Sequence, residues 1–471
     1  MFGLTSRGNL GLDAQVRYEV TRNLVRHGNF TAGEAGGIRW ERHGEAVTYP
    51  VFGIGQSLLM VPVEAFVVLR LEHLAGRDLR RAAFALLSVI LFPLLSATAM
   101  LLLFGLVCET GASPRAATLY TAMVALASPM LIYSGDGQEV TQIVGLLAGG
   151  TWLTLRAARK ARVGLLLAAV CCFWAMPVFR TQHLLEALLF SGWACYQWRK
   201  SGPANSRLLA ALIVPPIFCV TWLLAFNWIR FGHPLANPYT IIFEQRGIVP
   251  FSQPFWRGFL GPLVSPDKSI LLYCPLLLAA FSRHRFLSGV FWLSTACFLV
   301  LCLSLARYVS WGGDHAIGPR LEMHLVPFLL LPLVPQLERA RLPAWFKVLV
   351  LLSFVVQLAG KSLDPALEID RNPHASTITP ECSPQDGPGR WVNRFVNLAE
   401  KARGTLRPNW GRELGRPLSP LEESATQWDY FWGRAWQSGR TAGTAAVLLA
   451  ALLFAAAVAS ALRLRKQIAS L

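Results

Sequence analysis

Charge is scarce in this chain. Of its 471 residues only 15% are Asp, Glu, Lys or Arg, while 54% are hydrophobic. Soluble domains carry about 25% charged residues, so a soluble globular protein is excluded. Acid is scarcer than base, 27 residues against 44 Lys and Arg. In a soluble protein the net +17 would suggest nucleic acid. Here basic loops that orient membrane helices account for it, and no nucleic-acid partner is expected. Cysteine supplies no framework either. Eight of the nine (Cys108, Cys171, Cys172, Cys195, Cys219, Cys274, Cys297 and Cys302) lie inside apolar runs, where they read as small fillers. Cys382 falls in a long polar segment, and no disulfide pattern is implied. The sequence also lacks a Walker loop, an HExxH zinc motif, a nucleophile elbow and a Rossmann fingerprint.

What it has is repeated apolar runs of about 17–25 residues, the mark of an all-α polytopic membrane protein. Expected spans are 82–107, 115–134, 139–156, 163–179, 183–198, 207–229, 268–282, 286–306, 321–337, 343–360 and 441–462. Alternate connections are basic: Arg156 to Arg162, Arg199 to Arg207, Arg283 and Arg285, Arg339 to Lys347, and Arg463 to Lys466. Placing all five in the cytoplasm gives one consistent threading. The outward set is then 133–139, 180–183, 230–267, 307–320 and 361–440. Residues 108–115 carry only Arg115 and are the weak exception.

Counting back from this threading puts Gly76 to Arg81 outside. The stretch 51–71 carries two prolines, two glycines, Gln56 and Glu64. It reads as a re-entrant or interfacial helix pair rather than a span. Residues 1–50 would then lie outside with nothing apolar ahead of Met1, so a first transmembrane helix is expected upstream. The domain reading is 1–81 as an outer amphipathic and juxtamembrane segment and 82–361 as a transmembrane core with outer loops 230–267 and 307–320. After these come an outer loop region, 362–440, and a last helix with a basic cytoplasmic tail, 441–471.

Conspicuous polar residues collect at the outward helix ends. Asp13 opens a helix ending near His27-Gly28 whose Val16, Val20, Leu24 and Val25 recur at helical spacing; on residue statistics Asp13 reads first as an N-cap. Asp136 and Glu139 precede a span and serve equally as solvated first-turn acids. Arg180, His183 and Glu186 sit at i, i+3 and i+6 where another helix begins. The latter two either pair with each other or serve a site, and Arg180 faces a helix N-terminus suited to anions. Arg230 reads first as a snorkelling anchor, and Lys268 flanks the next boundary. In "SWGGDHAIGPRLEMH" (Ser310 to His324), Trp311, Asp314 and His315 precede Arg320. His324 is expected one helical turn below Arg320, on the same face. The aromatic cluster from Trp428 to Trp436 reads as an interfacial belt.

Taken in order, these stretches resemble the GT-C fold of polyprenyl-phosphate-sugar-dependent glycosyltransferases, which includes protein O-mannosyltransferases and aminoarabinose transferases. The features are an Asp-bearing amphipathic helix, a Pro-containing juxtamembrane run, Asn-x-x-Arg-Phe-Gly-x-Pro (Asn227 to Pro234), Ser-Pro-x-Lys (Ser265 to Lys268) and Trp-x-Gly…Gly-Pro-Arg (Trp311 to Arg320). A poorly characterised bacterial branch is the nearer likeness, over most of residues 1–340. The resemblance implies a bundle of about 11–12 transmembrane helices with outer juxtamembrane helices. It implies Asp13 as catalytic base, Asp136 or Glu139 as a second acidic position, and Arg180, Arg230, Lys268 and Arg320 around a lipid-linked phosphate. His183, His315, His324 and Trp311 are supporting residues. Two departures stand out: the missing first helix, and Ala14 rather than a second acid after Asp13. The latter disfavours a divalent metal, so no metal ligand and no cofactor is assigned.

The implied activity is transfer of a sugar from a polyprenyl-phosphate donor to a glycan, lipid or protein acceptor, at the periplasmic face of a bacterial inner membrane. Its chemistry is an inverting displacement in which arginines stabilise the leaving phosphate and one carboxylate takes the acceptor proton. The alternatives are a transporter or flippase of a lipid-linked or anionic substrate, disfavoured by the lack of an internal repeat, and a non-catalytic assembly partner in envelope biosynthesis.

Overall fold

A helix that exposes a row of leucines must face something other than water, and that governs this architecture. The computed structural model describes residues 2, 12–33, 37–42, 45–71, 79–201, 206–265, 268–281, 289–313, 316–363, 367, 390–406, 430 and 440–469. Among these the chain is overwhelmingly helical. Three helices are long and apolar enough to cross a membrane: Ala82–Glu109, Leu212–Phe231 and Ala344–Ser362. They present Leu94, Leu101, Phe218, Val348 and Leu351 outward, each more than half exposed, as a lipid-facing surface requires. The shorter helices Val163–Phe179, Gly289–Ser304, Met323–Leu337 and Ala446–Ser460 are also apolar.

The N-terminal part is built as a separate layer. Helix α1 (Leu12–His27) packs on α2 (Gly55–Phe66), which runs on through a wide π-type turn, Val67–Leu71. The faces are polar where they meet: Thr21 Oγ1 donates to Ser57 O at 2.9 Å and Ser57 Oγ to Arg17 O at 2.8 Å. Glu64, fully buried, takes Arg26 Nε at 2.9 Å and the Tyr18 hydroxyl. Of the polar content that argued against a span over 51–71, Glu64 is thus spent on α1. Between them an antiparallel hairpin, β1 (Ile38–Arg42) with β2 (Glu45–Tyr49), seats Trp40 and Tyr49 edge-on against Phe231. Gly53 sits where any Cβ would lie 2.3 Å from Val178 O, and this close approach carries the chain past the end of the helix Val163–Phe179.

The remaining core follows in order: α3 (Leu79–Leu86), α4 (Phe92–Glu109), α5 (Pro114–Ala127), α6 (Met130–Tyr133), α7 (Val140–Lys160), α8 (Val163–Phe179), α9 (Leu184–Ser201) and α10 (Ser206–Phe231). Then come α11 (Pro238–Gln245), α12 (Phe255–Val264), α13 (Ile270–Tyr273), α14 (Leu277–Phe281), α15 (Gly289–Ser304), α16 (Val326–Leu329), α17 (Val334–Leu337), α18 (Ala344–Ser362), α19 (Arg390–Ala402) and α20 (Arg440–Ala469). The principal apolar core joins α4, α5, α7, α8 and α9 to the 317–337 segment.

Two expected continuous helices are broken. The run 268–282 is split into α13 and α14 around Pro275, and 321–337 into short α and 3₁₀ pieces carrying Pro327, Pro332 and Pro335. Proline removes an N–H and clashes with the preceding turn, so neither run holds a single helix. For the same reason Arg320 lies in a turn, ahead of the 3₁₀ turn Met323–Leu325, and does not share a helical face with His324. Of the region expected as 362–440, the structure describes 362–363, 367, 390–406, 430 and 440; the Trp428–Trp436 belt, apart from Tyr430, lies outside the described residues.

Candidate active site

Helix α1 delivers Asp13 and Arg17 one turn apart on one face. Asp13 Oδ2 accepts from Arg320 Nη1 at 2.7 Å. Arg17 Nη2 lies 2.7 Å from Glu139 Oε2, and Arg180 Nη1 lies 3.2 Å from Glu139 Oε1. Glu139 immediately precedes α7 and Arg180 immediately follows α8, so two core elements and the Arg320 turn converge on the N-terminal helix. Arg180 Nε also donates to the Tyr239 hydroxyl at 3.0 Å, and the Arg17 guanidinium covers the Phe52 ring at 4.3 Å.

Arg17, Arg180, Arg320 and Glu139 are buried, whereas the Asp13 side chain keeps 29% of its surface exposed. Three guanidiniums therefore face two carboxylates, of which Asp13 is the partly accessible one. Burial would push the Asp13 carboxyl up, but Arg320 and then Arg17 outweigh it and hold it below the ordinary carboxylate value. Such a group is ionised under all ordinary conditions. The forked geometry of arginine suits a phosphate, and the excess of positive charge suits an anion.

Asp13 does not act as the N-cap that statistics favour, because α1 begins one residue earlier and its carboxylate is taken by Arg320. Asp136 is buried close by in sequence and accepts the Gln138 N–H at 2.9 Å. Arg230 Nη1 donates to Pro50 O at 2.8 Å and Nη2 to Asn227 Oδ1 at 2.7 Å, with Phe226 stacked 4.0 Å away. Asn227 in turn holds the carbonyls of Pro234 and Ala236. The Asn-x-x-Arg-Phe-Gly-x-Pro stretch is thus a self-bracing helix end that grips the chain ahead of α2. Lys268 has no exposed surface, and its Nζ donates to Ala316 O at 2.7 Å, tying the start of α13 to the Arg320 turn. Trp311 is buried with its ring against Gly261. His315 and Asp314 lie outside the described residues.

His183 and Glu186 pair as one alternative had it, Nδ1 to Oε2 at 2.6 Å, and His324 joins them from the far segment, Nε2 to Glu186 Oε1 at 2.7 Å. All three are buried. Sequence reasoning missed Arg17 and Tyr239. Arg17 had a signal, four residues beyond Asp13 on one helix face; Tyr239, two residues after Asn237, had none.

No protein-family model matches this chain, and no curated protein does. Among solved structures it is similar to archaeal oligosaccharyltransferase AglB from Archaeoglobus fulgidus, solved with an inhibitory peptide and a dolichol-phosphate. The TM-score is 0.39 at 11% identity, over 89% of this chain and 57% of that one. A second similar structure is the Archaeoglobus fulgidus oligosaccharyltransferase in apo form, with TM-score 0.40 and 12% identity over 82% of this chain and 60% of that one. Both of these structures are oligosaccharyltransferases. This chain spans less than two thirds of the length of either.

Proposed function

We propose that this chain is an integral-membrane glycosyltransferase that moves a sugar from a polyprenyl-phosphate donor to an acceptor hydroxyl. The observation that carries the reading is the Asp13 carboxylate held against Arg320, with Arg17 and Arg180 bridged by Glu139 beside it. A partly exposed base and a buried set of forked cations are the two parts that displacement at an anomeric carbon needs.

In this mechanism the donor phosphate competes with Asp13 for Arg320. Arg180 and Arg320 take the phosphate oxygens, and their charge counters the negative charge that grows as the sugar–phosphate bond breaks. Released from Arg320, the Asp13 carboxylate becomes more basic and accepts the acceptor proton as the new bond forms. Glu139 keeps Arg17 and Arg180 spread at fixed positions, while Arg230 and Lys268 brace the walls through backbone carbonyls. Orientation follows from charge: the site lies at the start of α7, and Arg156, Arg159 and Lys160 lie at its other end. With basic ends in the cytoplasm, the site faces outward, to the periplasm in a bacterium with two membranes.

The test is direct. The protein is purified into lipid nanodiscs and incubated with radiolabelled polyprenyl-phosphate sugars and an acceptor extract. Labelled product that disappears in Asp13→Asn supports the reading. Lipid or sugar movement without product, equal in both proteins, would replace it with transport.

A further inference from the structure

The buried group His183, Glu186 and His324 has no part in the proposed transfer, and its composition is that of a metal site. We propose that His183 Nδ1, Glu186 and His324 Nε2 bind one divalent transition-metal ion of the zinc type.

The three ligand atoms lie within 4.8 Å of one another although they come from two distant parts of the chain. His183 closes the 3₁₀ turn Thr181–His183, Glu186 lies in the first turn of α9, and His324 sits in the 3₁₀ turn Met323–Leu325. The two imidazoles stand at 88° with centroids 4.9 Å apart, each directing one nitrogen at a different oxygen of the same carboxylate. Two imidazoles and one carboxylate are a donor set that Zn²⁺ takes readily. Zinc–donor distances of about 2.0–2.2 Å put neighbouring donors roughly 3.3 Å apart, so the 2.6 and 2.7 Å contacts open by about 0.6 Å on binding. That is a small side-chain movement. Both imidazole protons then reside on the ring nitrogens that point away from Glu186.

The second observation is independent of the triad. Glu322 has no exposed surface, and neither of its carboxylate oxygens has a hydrogen-bond partner. It lies two residues from His324 and within electrostatic reach of Glu186, and also of Lys268 and Arg180. A buried carboxyl without a hydrogen-bond partner in this neighbourhood is consistent with a cation at the triad. A bound ion would also fasten the segment carrying Arg320 to the head of α9, a positioning role that does not depend on which reaction the neighbouring site performs.

The experiment reads metal rather than transfer, so its failure and the failure of the glycosyltransferase reading are separable. Protein purified in nanodiscs without chelator is analysed for elements, then stripped and titrated with Co²⁺ as a visible probe. The expected result is about one Zn²⁺ per chain and tetrahedral Co²⁺ absorption without a thiolate charge-transfer band, which rules out the buried cysteines. Glu186→Gln keeps a hydrogen-bonding side chain between the imidazoles and should weaken Co²⁺ binding at least ~10-fold. Circular dichroism and elution volume check folding. Absence of both zinc and a cobalt spectrum in the native protein overturns the proposal. So does a cobalt spectrum and affinity left unchanged in Glu186→Gln.

Discussion

Asp13 and Arg320 are separated by 307 positions in the chain and meet at 2.7 Å. The pair joins the first described helix to the turn before the 3₁₀ segment, and it holds the partly exposed acid of the site beside its principal cation. Under the proposed mechanism it is a resting state that the donor phosphate dissolves.

Replacing Asp13 by Asn keeps the size and one hydrogen-bonding oxygen but removes the base. Transfer is expected to fall by about 10²–10⁴-fold while expression and elution from a sizing column stay as in the native protein. Native-like initial rates in the radiolabel assay would take Asp13 out of the mechanism.

Arg320→Gln is expected to cost about 10²–10³-fold in kcat. Because Arg320 serves both the phosphate and Asp13, the double variant with Asp13→Asn should be little worse than the poorer single one. Full additivity in that cycle would mean that the two residues act separately.

The same substitution has a signature in pH. The Asp13 carboxyl is depressed in the folded protein, chiefly by Arg320 acting against burial. A depressed acid contributes stability above the unfolded carboxylate value of about 3.9, and loses it as pH falls through the lower folded value. The native pair should therefore survive mild acid. Without Arg320 the carboxyl moves back up, and the acid limb of the transfer rate, where Asp13 becomes protonated, shifts to higher pH. An acid limb that does not move would show that Arg320 does not set the charge state of Asp13.

Glu139 bridges two buried arginines, so Glu139→Gln leaves both without their counter-ion. Breaking a buried pair by removing one partner costs about 3–5 kcal/mol, and the thermal transition in detergent should drop by several degrees. Arg17→Met combined with Glu139→Gln should recover part of that loss. If the single variant melts with the native protein, the bridge is not a structural tie.

Much of this was legible in the sequence and some was not, for physical reasons. Helix α1 and the polar character of 51–71 could be read because helical periodicity and buried polar groups are local signals. Asp13, Glu139, Arg180 and Arg320 were each visible as charges at helix ends, but which carboxylate meets which guanidinium depends on how distant helices cross. The β-hairpin went unread because its core face is made by Ile38 and Tyr49 with Phe231, nearly two hundred residues away. The broken runs at 268–282 and 321–337 looked continuous because hydropathy counts a proline as a gap of one residue, whereas the backbone loses a donor and a turn. His324 joining His183 and Glu186 had no sequence signal.

The prolines of the 326–337 segment also bear on how the molecule is assembled. A helix with all its hydrogen bonds internal can wait in lipid alone, but this segment cannot, because its fragmentation leaves carbonyls that hydrocarbon does not satisfy. The Pro327 carbonyl is taken by the Tyr120 hydroxyl of α5, a clasp supplied by chain made long before the segment. The segment therefore needs α5 beside it before its backbone can be satisfied in the bilayer.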